Sequence, residues 1–215
     1  MRAIIVANGE LIIPETYLVE LEQSDITIAA DGGTQHCRSL GLEPSVVIGD
    51  LDSITLEEQQ AIKDNEKIQL IVYPRDKDQT DLELALQYAK KVGVTDIFLI
   101  GLLGGRLDQT IANILLLTRE EWCDINMIIL NGHETAHLMR ENRSLTIIGK
   151  HGDIISLIPL SPNVSVIKTY GLRWQLIDAE MFFGTTLGIS NEMIEDYCQI
   201  HIGVGNLMVI HTNVP

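Results

Sequence analysis

The first 130 residues alternate short apolar runs with stretches of helical pattern, and this alternation constrains the fold more than any other feature. Strands that alternate with helices form a mostly parallel sheet with helices on both of its faces. Thr55 and Thr80 each open a capping box, with glutamate three residues later, and so predict two helix starts. Pro14 predicts the start of a short helix that runs through Leu21. The predicted strands are residues 3–7, 26–30, 46–48, 68–73 and 97–103.

The pattern changes near Asn131. From there to Pro215 no strong helical period is found, and β-rich runs separated by turn residues follow one another. This pattern is typical of an antiparallel β-sandwich or barrel. The predicted strands of this part are residues 144–148, 154–160, 164–168, 181–183, 198–202 and 207–211. The chain is therefore predicted to fold as an α/β domain followed by an antiparallel β domain.

Charge and cysteine content narrow the class of partner and the compartment. The formal net charge is −15, from 30 acidic and 15 basic residues, so we expect neither nucleic acid nor a membrane surface as a partner. The three cysteines are isolated in sequence, which indicates a reduced, cytoplasmic protein without a disulfide framework. The apolar run at the N-terminus is too short for a signal peptide, and no stretch reaches transmembrane length.

Segments rich in charge and glycine follow the predicted strands after the first one. The carboxyl ends of parallel strands meet at one edge of the sheet, and ligands of α/β proteins bind beyond that edge. We therefore expect these segments to form one site rather than unrelated turns. The segments are residues 31–33 (Asp-Gly-Gly), 50–52 (Asp-Leu-Asp), 76–81 (Asp-Lys-Asp-Gln-Thr-Asp) and 104–106 (Gly-Gly-Arg).

Asp50 and Asp52 are the first candidates for metal ligands. Their spacing in an extended chain puts both side chains on one face, where the carboxylates repel unless a proton or cation lies between them. A hard divalent cation such as Mg²⁺ suits oxygen ligands of this kind, and Asp81, in the first turn of the next helix, could share it. Taken alone, the pair fits a polar turn at a strand end equally well.

The glycine-rich segment at residues 104–106 predicts a phosphate contact. Gly104 and Gly105 let backbone amides approach a phosphate, and Arg106 offers a planar fork that can bind one through two hydrogen bonds. Lys77 is a second candidate contact, although a solvated surface lysine explains it as well. These parts suit phosphoryl-type transfer, in which positioning and charge neutralisation do most of the catalysis. The sequence has no P-loop, H-E-x-x-H or G-x-S-x-G motif.

The residues by themselves indicate metal-dependent transfer or hydrolysis of a phosphorylated nucleotide. They leave open a phosphohydrolase and a nucleotide-sugar transferase, because Asp-x-Asp serves both kinds of enzyme. A non-catalytic nucleotide-sensing module, whose β domain recruits a partner, also stays open at this point.

Six motifs occur in the order seen in the thiamine pyrophosphokinase family, which the chain resembles over nearly its whole length. The motifs are residues 31–33, 49–53, 76–81, 104–108, 171–176 and 184–192. The fourth motif usually continues with histidine in that family, whereas this chain has Gln109. Gln109 therefore cannot take a role that requires a histidine side chain, although a glutamine can still donate a hydrogen bond.

The resemblance implies an ATP-dependent transferase that moves pyrophosphate from ATP to the hydroxyethyl group of thiamine, giving thiamine diphosphate and AMP. It implies Mg²⁺ and a homodimer with its active site at the subunit interface. Residues 1–130 would be the nucleotide-binding catalytic domain, and residues 131–215 a β-sandwich domain for thiamine binding and dimerisation.

The resemblance also implies roles for individual residues. Asp50, Asp52 and Asp81 would hold metal, and Arg106 and Asp108 would take part in catalysis beside the ATP phosphates. Without the family, a tryptophan that covers the β-domain core would be the simpler reading of Trp174. The remaining ATP contacts would be Asp31, Gly32, Gly33, Lys77, Gly104 and Gly105, and the thiamine contacts would be Trp174, Ser190 and Asn191.

Overall fold

The computed structural model describes residues 1–13 and 17–214. The chain divides into two compact units, Met1–Gly132 and His133–Pro215. Pro14, the predicted start of the first helix, lies outside the described residues, and the helix itself spans Leu18–Glu22. No helix in the described part of the chain is long and apolar enough to cross a membrane.

The described residues of the first unit contain six strands, which all pair with one another in parallel. Their order in the sheet is β6-β5-β1-β2-β3-β4, so the chain starts near the middle and builds outward in both directions. The strands are β1 Arg2–Val6, β2 Ile26–Ala30, β3 Val46–Gly49, β4 Gln69–Val72, β5 Asp96–Ile100 and β6 Asn126–Asn131.

In the part of the chain that the structure describes, five α-helices and a short 3-10 helix, Glu120–Trp122, connect these strands. Thr55 begins its helix with a complete capping box, since its side chain accepts from the Glu58 N–H and the Glu58 side chain accepts in return. Thr80 accepts only the Glu83 N–H. The α-helices are α1 Leu18–Glu22, α2 Gly33–Ser39, α3 Leu56–Asp64, α4 Asp81–Lys91 and α5 Leu107–Leu116.

The core of the first unit comes from its parallel strands and from α1 to α4, each of which has buried residues. Strands covered on both faces read as near-continuous apolar runs, as β1 to β3 do. Helix α4 buries its apolar side, whereas α5 has no buried residue in this structure. Side chains packed in the core include Ile4, Val6, Ala29, Val47, Phe98 and Ile100.

The second unit consists of antiparallel strands in two groups. One has the order β12-β9-β14-β7 and the other β11-β10-β13-β8. One hydrophobic cluster takes side chains from both groups, which is the arrangement of a β-sandwich. The strands are β7 Glu134–Met139, β8 Arg143–Ile148, β9 Ile154–Pro159, β10 Asn163–Tyr170, β11 Ala179–Phe182, β12 Asn191–Glu192, β13 Tyr197–Ile202 and β14 Leu207–Thr212.

The predicted fold class, a mostly parallel α/β sheet followed by an antiparallel β-sandwich, is confirmed. Strands β6, β7 and β12 were not predicted. Apolar and polar residues do not alternate clearly along β7, because the polar Thr135 is buried to 2% exposure. Strand β12 has only two residues, too few for any periodic signal.

Candidate active site

The predicted strand-end segments surround one cavity of the first unit, with a volume of about 760 Å³. It lies at the carboxyl edge of the parallel sheet, where ligands of α/β proteins bind. Residues from the ends of β1 and β5 and from α5 complete its wall. Of the predicted site residues, the cavity is lined by Asp31, Asp52, Asp81, Gly104, Gly105 and Arg106.

Three carboxylates come together beside this cavity. Asp31, Asp50 and Asp52 each offer an oxygen, and these oxygens lie within 4.8 Å of one another. Asp31 is buried to 7% exposure, and its Oδ1 has no hydrogen-bond partner in the described chain. Such an orphaned oxygen is costly unless a cation or a proton completes it. The sequence predicted Asp31 as an ATP contact and did not predict it in the acidic group.

Gly49 allows this approach. A Cβ on Gly49 would lie 3.0 Å from the Cβ of Asp31, and the Gly49 φ of 154° strains any residue with a side chain, so a substitution there would shift Asp31 by a few tenths of an ångström. The backbone fixes the same arrangement, because the Asp31 N–H donates to the Ile48 carbonyl at 2.8 Å. The parallel pairing of β2 and β3 therefore delivers Asp31 to the Asp-x-Asp loop.

The loop itself is held by its middle residue. Leu51 has a φ of 65°, in the left-handed region, and its side chain is buried to 4% exposure. The Asp52 N–H donates to Asp50 Oδ1 at 3.1 Å, which ties the two aspartates together. Partial burial alone would raise the pKa of Asp50, but this N–H and the ammonium of Lys77 outweigh it and lower that pKa.

Lys77 is not a solvated surface lysine. Its side chain is 11% exposed, and Nζ lies 3.0 Å from Asp81 Oδ1 and 3.6 Å from Asp50 Oδ2. Burial would lower the pKa of Lys77, but the bonds to Asp81 and Asp50 raise it overall. Asp81 differs from Asp50, because burial raises its pKa despite the opposing effect of Lys77.

Asp81, predicted as a metal ligand, is therefore ion-paired, and its oxygen is not part of the group formed by Asp31, Asp50 and Asp52. The donors of that group are carboxylate oxygens, one of them without any partner. Hard divalent cations such as Mg²⁺ take oxygen ligands of this kind, so the donor set fits the ion that the family implies.

The glycine loop before α5 has the predicted backbone freedom. Gly104 and Gly105 have φ values of 85° and 67°, which favour glycine. A Cβ on Gly104 would also lie 2.4 Å from the Glu10 side chain, whereas Gly105 faces open space. An approaching phosphate therefore meets backbone at Gly105 without a side chain in its way.

Arg106 offers its fork to Asp108 in this structure. Nε and Nη2 donate to the two carboxylate oxygens at 3.1 and 2.6 Å, and both side chains are exposed. The hydrogen bonds raise the pKa of Arg106 and, together with the Gln109 N–H, lower that of Asp108. Gln109, where the family usually has histidine, lines the cavity.

Gly32 and Gly33 serve close packing. A Cβ on Gly33 would lie 2.0 Å from the Val6 carbonyl oxygen, and one on Gly32 would overlap the Asn8 side chain. Neither glycine is among the cavity-lining residues of the described chain. The two glycines allow α2 to pack against the end of β1, and their contact with ATP stays a prediction.

Several cavity residues were not predicted. Asn8 and Glu10 follow β1, and Asn113 of α5 donates from Nδ2 to the Leu102 carbonyl at 3.0 Å. Strand order was the missing information, because β1 lies between β2 and β5 and its end must share their edge.

The predicted thiamine contacts belong to the second unit. Trp174 is 56% exposed, so it does not cover the core, and the Arg173 guanidinium carbon lies 5.0 Å from the centre of one of its rings. Asn191 is buried and bonded to the Trp174 backbone. Ser190 has a φ of 58°, and its N–H donates to Ser156 Oγ at 3.1 Å. An exposed indole beside buried polar groups is typical of a recognition surface.

Comparisons with known proteins cover both units. One family model, thiamin pyrophosphokinase catalytic domain, matches residues 17–129, and another, thiamin pyrophosphokinase vitamin B1 binding domain, matches residues 140–209. Thiamine pyrophosphokinase of Bacillus subtilis (strain 168) is 29% identical over 212 residues, 97% of either sequence.

Solved structures give the same result. The crystal structure of the Bacillus subtilis thiamine pyrophosphokinase matches with a TM-score of 0.87 at 28% identity, covering 100% of both chains. That of Geobacillus thermodenitrificans thiamin pyrophosphokinase matches with a TM-score of 0.81 at 29% identity, covering 100% of this chain and 98% of the other. The similarity is not confined to one unit.

Proposed function

Because this chain belongs to the thiamin pyrophosphokinase family, we propose that it transfers the pyrophosphoryl group of ATP to the hydroxyethyl group of thiamine. The family resemblance predicted from the sequence motifs is confirmed. The observation that carries the proposal is the cavity of the first unit, which joins an acidic group with an orphaned oxygen to a glycine-rich loop and an arginine.

In the proposed reaction the hydroxyl oxygen of thiamine attacks the β-phosphorus of ATP. The bond from that phosphorus to the oxygen shared with the α-phosphate breaks, AMP leaves with that oxygen, and the hydroxyl proton passes to water. The first unit binds ATP, and the second unit binds thiamine. Such a transfer depends on positioning and on neutralising phosphate charge rather than on a covalent enzyme intermediate.

We propose Mg²⁺ as the cation, held by Asp50 and Asp52 together with Asp31. When bound, it would neutralise charge on the phosphates. Arg106 would exchange Asp108 for a phosphate group, since a guanidinium binds either anion through the same fork. Gly104 and Gly105 would present backbone N–H groups to another phosphate oxygen. Asp81 contacts the acidic group through Lys77.

Trp174 is the proposed platform for thiamine. Thiamine is a flat cationic heteroaromatic molecule, which an indole face attracts by stacking and by cation–π contact. Ser190 and Asn191 belong to a separate motif, residues 184–192, and the Asn191 side chain fixes the Trp174 backbone. Asn191 would therefore act mainly through Trp174.

We propose a homodimer with the thiamine site at the subunit interface. Support comes from apolar side chains that are exposed in each unit: Leu107, Ile111 and Leu115 on α5, and Ile148, Tyr170 and Tyr197 in the second unit. Exposed apolar patches of this kind mark association surfaces. Sedimentation at micromolar concentration should give twice the chain mass of 23.9 kDa, and a monomer that still turns over would contradict a shared site.

A cytoplasmic location agrees with the three free cysteines.

Incubation with ATP, Mg²⁺ and thiamine tests the function directly. AMP that forms only when thiamine is present supports the proposal. AMP or phosphate released without thiamine would indicate a phosphohydrolase, and nucleotide binding without turnover would indicate a sensing module. Transfer to a sugar in place of thiamine would indicate a nucleotide-sugar transferase.

A further inference from the structure

Two stretches of chain that follow β1 and β5 form one wall of the cavity. The Gly9 N–H donates to the Gly101 carbonyl at 2.7 Å, and the Glu10 N–H donates to the Leu103 carbonyl at 2.8 Å, so the two stretches are joined beyond the strand ends. We call residues 8–10 and 101–104 the strand-end wall. The members that line the cavity are Asn8, Gly9, Glu10, Gly101, Leu102 and Gly104.

His36 holds this wall from the side of α2. Its Nε2 lies 2.7 Å from the Gly9 carbonyl oxygen, and because a carbonyl can only accept, Nε2 is the donor. The imidazole is half-buried, and within residues 1–13 and 17–214 it is not one of the groups that line the cavity. A ligand in the cavity therefore meets the wall and not the side chain of His36.

The wall is closely packed at its glycines. A Cβ on Gly9 would lie 2.3 Å from the Leu103 carbonyl oxygen, and one on Gly101 would lie 3.4 Å from His36 Cδ2. The two stretches and the imidazole thus approach one another without side chains between them. A displacement of Gly9 is therefore passed on to residues 101–104.

Asn113 holds the same wall from α5. Its Nδ2 donates to the Leu102 carbonyl at 3.0 Å, and Leu102 is buried. A backbone carbonyl in such a place is costly to leave unpaired, so this bond fixes where residue 102 lies. Two residues later the chain enters the loop of Gly104 and Gly105, which leads to Arg106.

We propose that His36 and Asn113 are positioning residues, which clamp the strand-end wall between α2 and α5 and so hold the glycine loop and Arg106 in place for the ATP phosphates. This inference rests on the proposed function, in which that loop binds ATP. A wall that is already ordered costs ATP no ordering when it binds, whereas a loosened wall has to be ordered first.

The dissociation constant of ATP tests the clamp at His36. It is measured by equilibrium dialysis in a buffer with Mg²⁺ and without thiamine. His36→Phe keeps a ring but loses the donor, and should weaken ATP binding about tenfold. His36→Gln keeps an N–H donor at a similar reach and should stay within about twofold of the wild type. Gln35→Leu, at an exposed position of α2, is the control and should bind ATP as the wild type does.

A double variant distinguishes a shared clamp from a direct contact of Asn113 with ATP. Asn113→Leu removes the donor at similar size and should also weaken ATP binding about tenfold. Two independent losses would multiply to about a hundredfold, whereas the double variant with His36→Phe should stay near tenfold, because the wall is already loose.

Hydrogen exchange decides the outcome even if His36→Phe does not fold. In Asn113→Leu the Gly9 and Glu10 amides, which Asn113 does not bond, should exchange about tenfold faster, since they belong to the same wall. The clamp is overturned if these amides are unchanged or if folded His36→Phe binds ATP normally. It is also overturned if His36→Gln is as weak as His36→Phe, or if the double variant loses about a hundredfold.

The clamp and the proposed function fail separately. A wild type that binds ATP but makes no thiamine diphosphate contradicts the function, and the ATP affinities still decide the clamp. A wild type that makes thiamine diphosphate, together with a His36→Phe variant of normal ATP affinity, contradicts only the clamp. A wild type that does not bind ATP contradicts both. In the transfer assay the KM for thiamine should be unchanged in every variant, and a rise in it would contradict a clamp that acts on ATP alone.

Discussion

The side chain of Asn191 brackets the backbone of Trp174 with two hydrogen bonds. Oδ1 accepts from the Trp174 N–H at 3.1 Å, and Nδ2 donates to the Trp174 carbonyl at 2.7 Å. Asn191 is buried to 7% exposure, whereas Trp174 is 56% exposed. The buried amide of Asn191 thus fixes the loop that carries the exposed indole of Trp174. Asn191 positions the loop, and Trp174 is left free to contact a ligand.

Asn191→Ala should loosen this loop. Two lost hydrogen bonds cost about 1–3 kcal/mol, so we expect the KM for thiamine to rise about tenfold with little change in the KM for ATP. Asn191→Asp keeps the acceptor and loses the donor, and should give an intermediate value. Asn163→Ala removes an exposed side-chain hydrogen bond of the same unit and should leave both constants unchanged. Equal KM values for thiamine in Asn191→Ala and the wild type would show that these two hydrogen bonds do not position Trp174.

Trp174→Ala should remove the platform itself. In the wild type, thiamine should change tryptophan emission in a saturable way, and the variant should lose that change and raise the KM for thiamine by about tenfold or more. Trp122 is the only other tryptophan and is fully buried in the first unit, so Trp122→Phe should keep the signal. Normal thiamine binding by Trp174→Ala would show that the indole is not a contact.

Asp52→Asn should lower kcat by about a hundredfold or more, because it removes a charge that positions the phosphate-neutralising cation. The Asp52 side chain is 46% exposed, and its partners are the exposed Arg75 at 3.4 Å and the hydroxyl of the neighbouring Ser53 at 3.3 Å, so the fold should be nearly unaffected. Thermal unfolding and kcat are measured on the same preparation. Asp64→Asn, at the exposed end of α3, is the matched control. Wild-type turnover by folded Asp52→Asn would exclude a metal role.

Arg106→Lys should be severe although the charge is kept. Lysine is a point donor and cannot hold a phosphate through a fork, so kcat/KM for ATP should fall by about tenfold or more. Arg38→Lys changes an exposed arginine that bonds Glu58 and should have no effect on kcat/KM. If Arg106→Lys also leaves kcat/KM unchanged, Arg106 belongs to a solvated turn and its pair with Asp108 is a surface contact.

His137 should make stability depend on pH. Burial and the neighbouring His211 lower its pKa from 6.5 to about 4, so the unfolded chain binds a proton first as the pH falls. The stability present at neutral pH is therefore lost between pH 6.5 and about 4. From about pH 7 to about pH 5 the loss should approach 2 kcal/mol in urea unfolding.

His137→Leu should flatten this slope, since the titrating group is gone. His151→Gln, at an exposed position, should retain it. An unchanged slope in His137→Leu would place the pH dependence on another group.

The sequence predicts the parallel strands well because each is an apolar run that ends in a turn residue. The end of β5 was placed too late, at residue 103 instead of Ile100. The apolar pattern continues through Leu102, but Gly101 has a φ of 68° and a Cβ on it would lie 2.5 Å from the Ala7 carbonyl oxygen. The close approach of Gly101 to Ala7 depends on tertiary packing, which the apolar pattern of the sequence does not reveal.

The acidic site could be predicted only in part. Asp50 and Asp52 are neighbours in sequence, and their spacing reveals them. Asp31 joins them because β2 pairs with β3, with Ala30 opposite Ile48, and pairing order is a property of the whole sheet. Lys77 looks like a surface lysine in sequence, since its burial follows from Asp81, four residues later, and from Asp50, which reaches it from the end of β3.

Gly49 carries no functional group, yet the position of Asp31 depends on its missing side chain. In a library that is selected for thiamine diphosphate production, residue 49 would be as intolerant of change as a catalytic aspartate. A scan of functional groups alone would overlook it. What is inherited at this position is a missing side chain, which leaves room for the backbone and Cβ of an aspartate that follows the neighbouring strand.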